Sequence, residues 1–249
     1  MDVMTTGLRF PEGPIALPDG GLLVVEMLGG TLTRVAPDGT SSVIAELGGG
    51  PNGAAIGPDG RCYVCNNGGY AAMAMGDLLI ASPPPIATLP GSIQVVDLAT
   101  GAFETLYASC DNAPFWAPND IIFDREGGFW FTDFGRQRGR FRQTGSVYYA
   151  KADGSLLREM IHPVDAANGI GLSPDGSTLY VANTFEGHLL GYRLSAPGEI
   201  DPAGGHMPDG SFIVGRAGAG QYLDSLAVDS SGRVVTMRWD VPGLDLAYS

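Results

Sequence analysis

Five short segments of this 249-residue chain each begin with a side chain that carries a hard oxygen donor. They are EGPIALPDGGLLVVE from Glu12, NGAAIGPDGRCYVCN from Asn52, NDIIFDREGGFWFTD from Asn119, NGIGLSPDGSTLYVAN from Asn168 and DSLAVDSSGRVVT from Asp224. Every first residue is a carboxylate or a carboxamide, and none is a thiolate or an imidazole. Such oxygens gathered at one point would suit a hard cation, calcium first, with magnesium, manganese or zinc as alternatives. The carboxylates Glu12 and Asp224 would largely balance a divalent charge. The competing explanation is local: Asn and Asp open turns because their side chains bond nearby backbone. That explanation is strongest for Asn52 in its PNG context and weakest for Glu12, a poor turn former.

The elements that would bring the five together are legible in the same segments. In each, a glycine follows eight positions after the first residue, at Gly20, Gly60, Gly127, Gly176 and Gly232. A short apolar stretch leads to a turn such as PDG, and a β-branched or aromatic stretch such as LLVV, CYV, FWF or TLYV leaves it. Each segment therefore reads as a β-hairpin whose Gly supplies a positive φ and whose Asp bonds the turn backbone. Further strand candidates lie between them, including TLTRVAP, SIQVVDL, SVYYAKA and LLGYRLS, giving four strands per unit. The starts are separated by about 40 to 67 residues, a spacing that suits propeller blades better than shorter solenoid repeats. In a propeller the innermost strands surround one axis, so equivalent residues of successive blades converge. The expected architecture is all-β, a single β-propeller domain over residues 1–249. Residues 68–90, rich in Gly, Ala and Pro, read as an inserted loop over the binding face.

Composition supports this and removes other classes. Hydrophobic residues make up 44% and charged residues 16%, with 38 Gly and 18 Pro, a balance that suits short strands and tight turns. A net charge of −13 disfavours nucleic acid. The local exception is Arg136, Arg138, Arg140 and Arg142, whose period-2 spacing predicts one solvated face of an extended segment. No apolar run approaches the roughly 18 residues that cross a bilayer, and the first residues lack a secretory pattern, so a cytoplasmic location is expected. Of the three Cys, Cys62 and Cys65 mimic CxxC but stand at i and i+3 of a strand, on opposite faces. GxSxG, GxxxxGK[ST] and HExxH are all missing. The three His, His162, His188 and His206, read as loop or turn residues, although His188 could line the channel. Asn66, Asp133 and Asn183 close the second strands of their hairpins and read as turn formers.

The motifs FPEGP, APNDIIFD, ANGIGLSPDG, LDSLAVD and VPGLDLAYS together resemble the regucalcin, gluconolactonase and luciferin-regenerating enzyme family over nearly the whole chain. That family consists of six-bladed calcium propellers that also resemble diisopropyl fluorophosphatase. The resemblance implies that Glu12, Asn168 and Asp224 bind a catalytic metal and that Asn119 contacts substrate and, in some members, the metal. It also implies that Asp224 acts as base or nucleophile. Asn52, at the equivalent position of its own repeat, is read as a second substrate contact, and Glu12 as a catalytic residue beside the metal. The implied activity is hydrolysis of a small lactone or ester. A phosphotriesterase-like hydrolase and a non-catalytic calcium-binding propeller are the alternatives.

The sequence departs from the family pattern at two places. Ala117 stands two residues before Asn119, where animal lactonases of the family carry Arg, so sugar-lactone specificity does not carry over. A sixth repeat is missing: the fifth unit passes from SSGRVVT straight into MRWDVPGLDLAYS, as though most of a blade were deleted near Thr236 and Met237. The expectation is an open or distorted six-bladed ring, with five-bladed closure as the alternative.

Overall fold

The computed structural model describes residues 3–75, 78–82, 89–138 and 140–240, and among these there are strands and turns but no helix. Each of the five repeat segments is an antiparallel hairpin, and each hairpin opens one sheet. The first sheet runs Pro11–Ala16, Leu22–Glu26, Thr31–Val35, Ser41–Glu46 in sequence order. The second takes Pro51–Ile56 and Cys62–Asn66, then Ser92–Val96 and Phe103–Tyr107. The third is Pro118–Phe123, Gly128–Asp133, Gly145–Lys151 and Leu157–Val164. The fourth is Ala167–Leu172, Thr178–Asn183, His188–Ala196 and Ser211–Arg216, with the short strand Glu199–Ile200 also pairing to His188–Ala196. The turn glycines Gly20, Gly60, Gly127, Gly176 and Gly232 all have positive φ, the conformation the hairpins require.

Second strands read as unbroken apolar runs because they are covered on both faces by neighbouring sheets, and Cys62–Asn66 and Gly128–Asp133 are buried throughout. Cores therefore lie between units rather than within them. Leu23, Val25 and Leu32 of the first sheet meet Cys62 and Val64 of the second. Tyr63 and Cys65 of the second face Phe129 and Phe131 of the third. Trp130 and Tyr149 of the third meet Leu179 and Val181 of the fourth. Full burial of side chains this large contributes about 1.5–3 kcal/mol each. Cys62 and Cys65 thus sit in different cores, on opposite faces of one strand, and burial raises both thiols, Cys62 to about 12. Neither is placed for redox or zinc chemistry.

Innermost strands pack in sequence order, the first unit's on the second's, then third, fourth and fifth. The fifth unit has two described strands, Gln221–Val228 and Val234–Asp240, where the others have four or five. Among the described elements its inner strand has no comparable packing against Pro11–Ala16. Its second strand exposes Val235 and Met237, at 63% and 66%, whereas the corresponding strands of other units are buried. The terminal segment VPGLDLAYS lies outside the described residues.

The segment read as an inserted loop falls between two paired strands of the second sheet and carries a hairpin of its own, Ala71–Met75 with Leu78–Ser82; residues 76–77 and 83–88 lie outside the described residues. One local expectation is corrected: the arginine stripe is not one extended face. Arg136–Arg138 and Phe141–Gln143 form a hairpin in which Arg136 opposes Gln143 and Gln137 opposes Arg142. Directly opposed residues share a face, so Arg136 and Arg142 point to opposite sides. Arg136 is buried and donates to the Asn67 carbonyl, while Arg142 pairs with Asp165 at the surface.

Candidate metal and substrate site

All five innermost strands carry the same irregularity at the same place. The antiparallel register slips by one residue between Glu12 and Ile15, Pro51 and Gly53, Pro118 and Ile121, Ala167 and Ile170, and Leu223 and Leu226. Each slip is a β-bulge at the segment's first residue or, in the first unit, directly after it, and a bulge bends the strand and re-aims a side chain. Glu12, Asn52, Asn119, Asn168 and Asp224 consequently all line one cleft of about 510 Å³. Other clefts of similar size exist, such as one of about 440 Å³ between the turn ends of the third and fourth units. Convergence of oxygen donors, rather than size, distinguishes the site.

Glycines allow the bulges to approach so closely. A Cβ on Gly13 would lie 2.8 Å from both Ala54 N and Asn52 O, and one on Gly169 would lie 2.5 Å from Leu226 N and 2.7 Å from Asp224 O. The third unit breaks this pattern with Asp120, a residue the sequence reading passed over. Its amide donates to Thr132 Oγ1 at 3.0 Å, and its carboxylate accepts from Ile121 N at 2.9 Å and Ile170 N at 3.2 Å. Asp120 lines a second cleft of about 500 Å³ with Gly13, Ala54, Gly171 and Leu226, on the far side of the bulges.

Electrostatics at the site call for a positive charge. Burial raises the Glu12 carboxyl to about 7, and the charges of Asp224 and Asp120 add to the rise. Asp120 is raised to about 6 by burial, and Asp224 is raised by burial against the opposing pull of the Asn168 side chain. Asn168 is buried, and its Oδ1 has no hydrogen-bond partner; Thr184 Oγ1, also buried and lining the cleft, has none. An unsatisfied buried acceptor beside crowded carboxylates fits a hard cation. Among the described residues no three His, Cys, Asp or Glu side chains are grouped to hold a metal, so carboxamide oxygen must complete any donor set.

A second ring of residues holds the first. Asp133 accepts from Trp116 N at 2.7 Å, Ala117 N at 2.8 Å and Gly135 N at 2.8 Å, fixing the loop that leads into Asn119. Asn66 accepts from Gly50 N and Gly68 N and donates to Gly48 O, fixing the approach to Asn52. Glu26 accepts from Arg9 N and from the Thr31 and Thr33 hydroxyls. Asn66 and Asp133 are thus clamps on the entry loops and not merely turn formers. Asn183 keeps a local role, donating to Glu186 Oε2 at 2.9 Å. The same offset places Arg238 in the fifth unit, opposite Leu223, where a guanidinium can only donate and so cannot collect backbone amides as a carboxylate does.

The cleft's remaining walls are Phe10, Met27, Tyr70, Phe134 and Thr184. Met27, Phe134 and Thr184 immediately follow Glu26, Asp133 and Asn183, so repeat alignment carried to one more position would have found them. His188 does not line the cleft; it lies in the neighbouring one, between Glu186 and Arg216. His162 contacts Ser146, and His206 sits in a turn.

Residues 10–245 match the SMP-30/Gluconolactonase/LRE-like region. The chain belongs to that family. A lactonase drp35 of Staphylococcus haemolyticus is 28% identical over 234 residues, 92% of this chain and 63% of the relative. The Staphylococcus aureus lactonase drp35 is 29% identical over 241 residues. The chain thus spans less than two thirds of the length of these curated relatives. Among solved structures, a gluconolactonase from Xanthomonas campestris superposes with a TM-score of 0.70 at 23% identity, covering 92% of this chain and 70% of that one. The calcium-binding protein regucalcin from Agrobacterium tumefaciens gives 0.65 at 20% identity, covering 94% and 69%. The fold is that of the family's propellers, and among the described residues no helix is long and apolar enough to cross a membrane.

Proposed function

We propose that the chain hydrolyses small lactones with the help of a divalent cation, calcium first, held by Glu12, Asn168 and Asp224 with Asn119 at the edge of the donor set. The observation that supports this most directly is the unpartnered, buried Asn168 Oδ1 in the cleft that Glu12 and Asp224 also line. Relatives named lactonase and gluconolactonase support the reaction class. The cation would supply Lewis acidity toward the carbonyl oxygen of the lactone.

The chain's own residues supply the rest. Asn119 and Asn52 present amide donors and acceptors from adjacent bulges, which orients the ester group over the carboxylates. Asp224 accepts the proton of the attacking water from its place in the cleft beside Asn168. Glu12 completes the charge balance; without a cation its carboxyl is pushed up to about 7. Ring opening then returns the proton to the leaving alkoxide, giving a hydroxy acid. We further place the protein in the cytoplasm, as a single domain with no nucleic-acid or membrane partner.

The deciding experiment is a lactone panel assayed by acid release with calcium and with chelator, using the parent and Asp224→Asn. Calcium-dependent turnover that falls by at least about 100-fold in the variant supports the proposal. Calcium binding without turnover would instead favour a binding protein, a reading that the two-stranded fifth unit supports.

A further inference from the structure

Above the oxygen donors, the cleft has an apolar collar. Met27 is buried at 6% exposure, and Phe10, Tyr70 and Phe134 are half-buried around it. The collar is held in place rather than draped. Met27 N donates to Phe10 O at 2.9 Å, and Asn67 Nδ2 approaches Met27 Sδ at 3.3 Å. Phe134 N donates to Ala117 O at 2.9 Å, and its ring meets Phe185 edge to face at 5.6 Å. The Tyr70 ring lies 5.7 Å from the buried Arg136 guanidinium. Apart from the five oxygen donors themselves, Thr184 and the Tyr70 hydroxyl are the polar groups among the described lining residues.

We infer that this site selects lactones carrying an apolar alkyl substituent over polyhydroxylated sugar lactones, with Met27 and Phe134 as the specificity-determining residues. The inference rests on the lactonase reading and goes beyond it by naming the substrate class. A sugar lactone placed with its ester over Asn119 and Asp224 would press several hydroxyls against Phe, Met and Tyr side chains, losing water without gaining partners. An alkyl chain in the same position exchanges water for van der Waals contact.

The test compares δ-decalactone with glucono-δ-lactone in the calcium-loaded protein, and the matching non-hydrolysable δ-lactams by calorimetry. Expected is a kcat/KM at least about tenfold higher for δ-decalactone, with tighter binding of the alkyl lactam. Phe134→Asn and the near-isosteric Met27→Gln should each reduce that preference severalfold, chiefly through KM. Equal or reversed preference in both turnover and binding would overturn the inference while leaving lactonase activity standing. Absence of turnover on both lactones would sink the lactonase reading, and calorimetry would still decide the selectivity: the alkyl lactam binding tighter, and losing that advantage in Phe134→Asn, upholds it, and indifference refutes it.

Discussion

The Thr132 hydroxyl donates a hydrogen bond to the backbone carbonyl of Asn168 at 2.6 Å and accepts one from the amide of Asp120 at 3.0 Å. One buried side chain on the second strand of the third unit thereby fixes the bulges of both the third and fourth units. Thr132→Val keeps the shape and leaves both backbone groups without a partner. A loss of about 1–3 kcal/mol in urea unfolding is expected, with weaker calcium binding by calorimetry. Unchanged calcium affinity would show that Asn168 does not depend on this tie.

Asp133 serves the neighbouring loop in a comparable way, collecting three backbone amides. Asp133→Ala strands those donors in a buried place, and a loss of about 3–5 kcal/mol is expected because a buried charge network is broken on one side. Asp133→Asn, which retains one carbonyl oxygen, should lose less. If both variants unfold at the parent's urea midpoint, the clamp assignment is wrong.

Gly169 separates the strand that carries Asn168 from the one that carries Asp224. In Gly169→Ala the new methyl would lie 2.5 Å from Leu226 N and 2.7 Å from Asp224 O, both backbone atoms that cannot rotate away. The strands must part, at a cost of about 1–3 kcal/mol, and calcium affinity should fall with stability. Gly176→Ala, at a turn with open space but positive φ, should cost stability alone. Comparing the two by calorimetry separates strain at the site from strain elsewhere.

Without a cation, the crowded carboxyls make stability depend on pH. Glu12 rises from 4.5 to about 7, Asp120 from 3.8 to about 6, and Asp224 rises as well. A group that holds its proton more tightly when folded stabilises the fold below its unfolded pKa and loses that contribution as pH rises through the folded value. In chelator, stability should therefore decline between about pH 4 and pH 7. Glu12→Gln should flatten the upper part of that decline. A melting temperature that climbs steadily over this interval in chelator would contradict the proposed crowding.

How much of this was legible in the sequence depended on the range of the interaction. The hairpins could be read because each rests on local chemistry: apolar alternation, an Asp-Gly turn and a positive φ at the glycine. The five oxygen donors could be read because a repeat gives equivalent positions equivalent places. The clamps could not, since Asp133 bonds amides sixteen and seventeen residues away, and nothing near it in sequence distinguishes that role from turn formation. Asp120 was hidden beside Asn119 because strand alternation points neighbours to opposite faces, and its ties to the amides of Ile121 and Ile170 leave no mark in the repeat pattern. The arginine stripe misled for the opposite reason: period-2 spacing implies one face only while the chain stays extended, and it turns back after Arg138.

The central claim is that oxygens from three distant segments hold one cation, and a crystal structure of the protein grown with calcium tests it most directly. The account predicts a single ion with Glu12, Asn168 and Asp224 oxygens at about 2.3–2.6 Å. An ion bound elsewhere, or these three side chains turned to separate partners in saturating calcium, would contradict it.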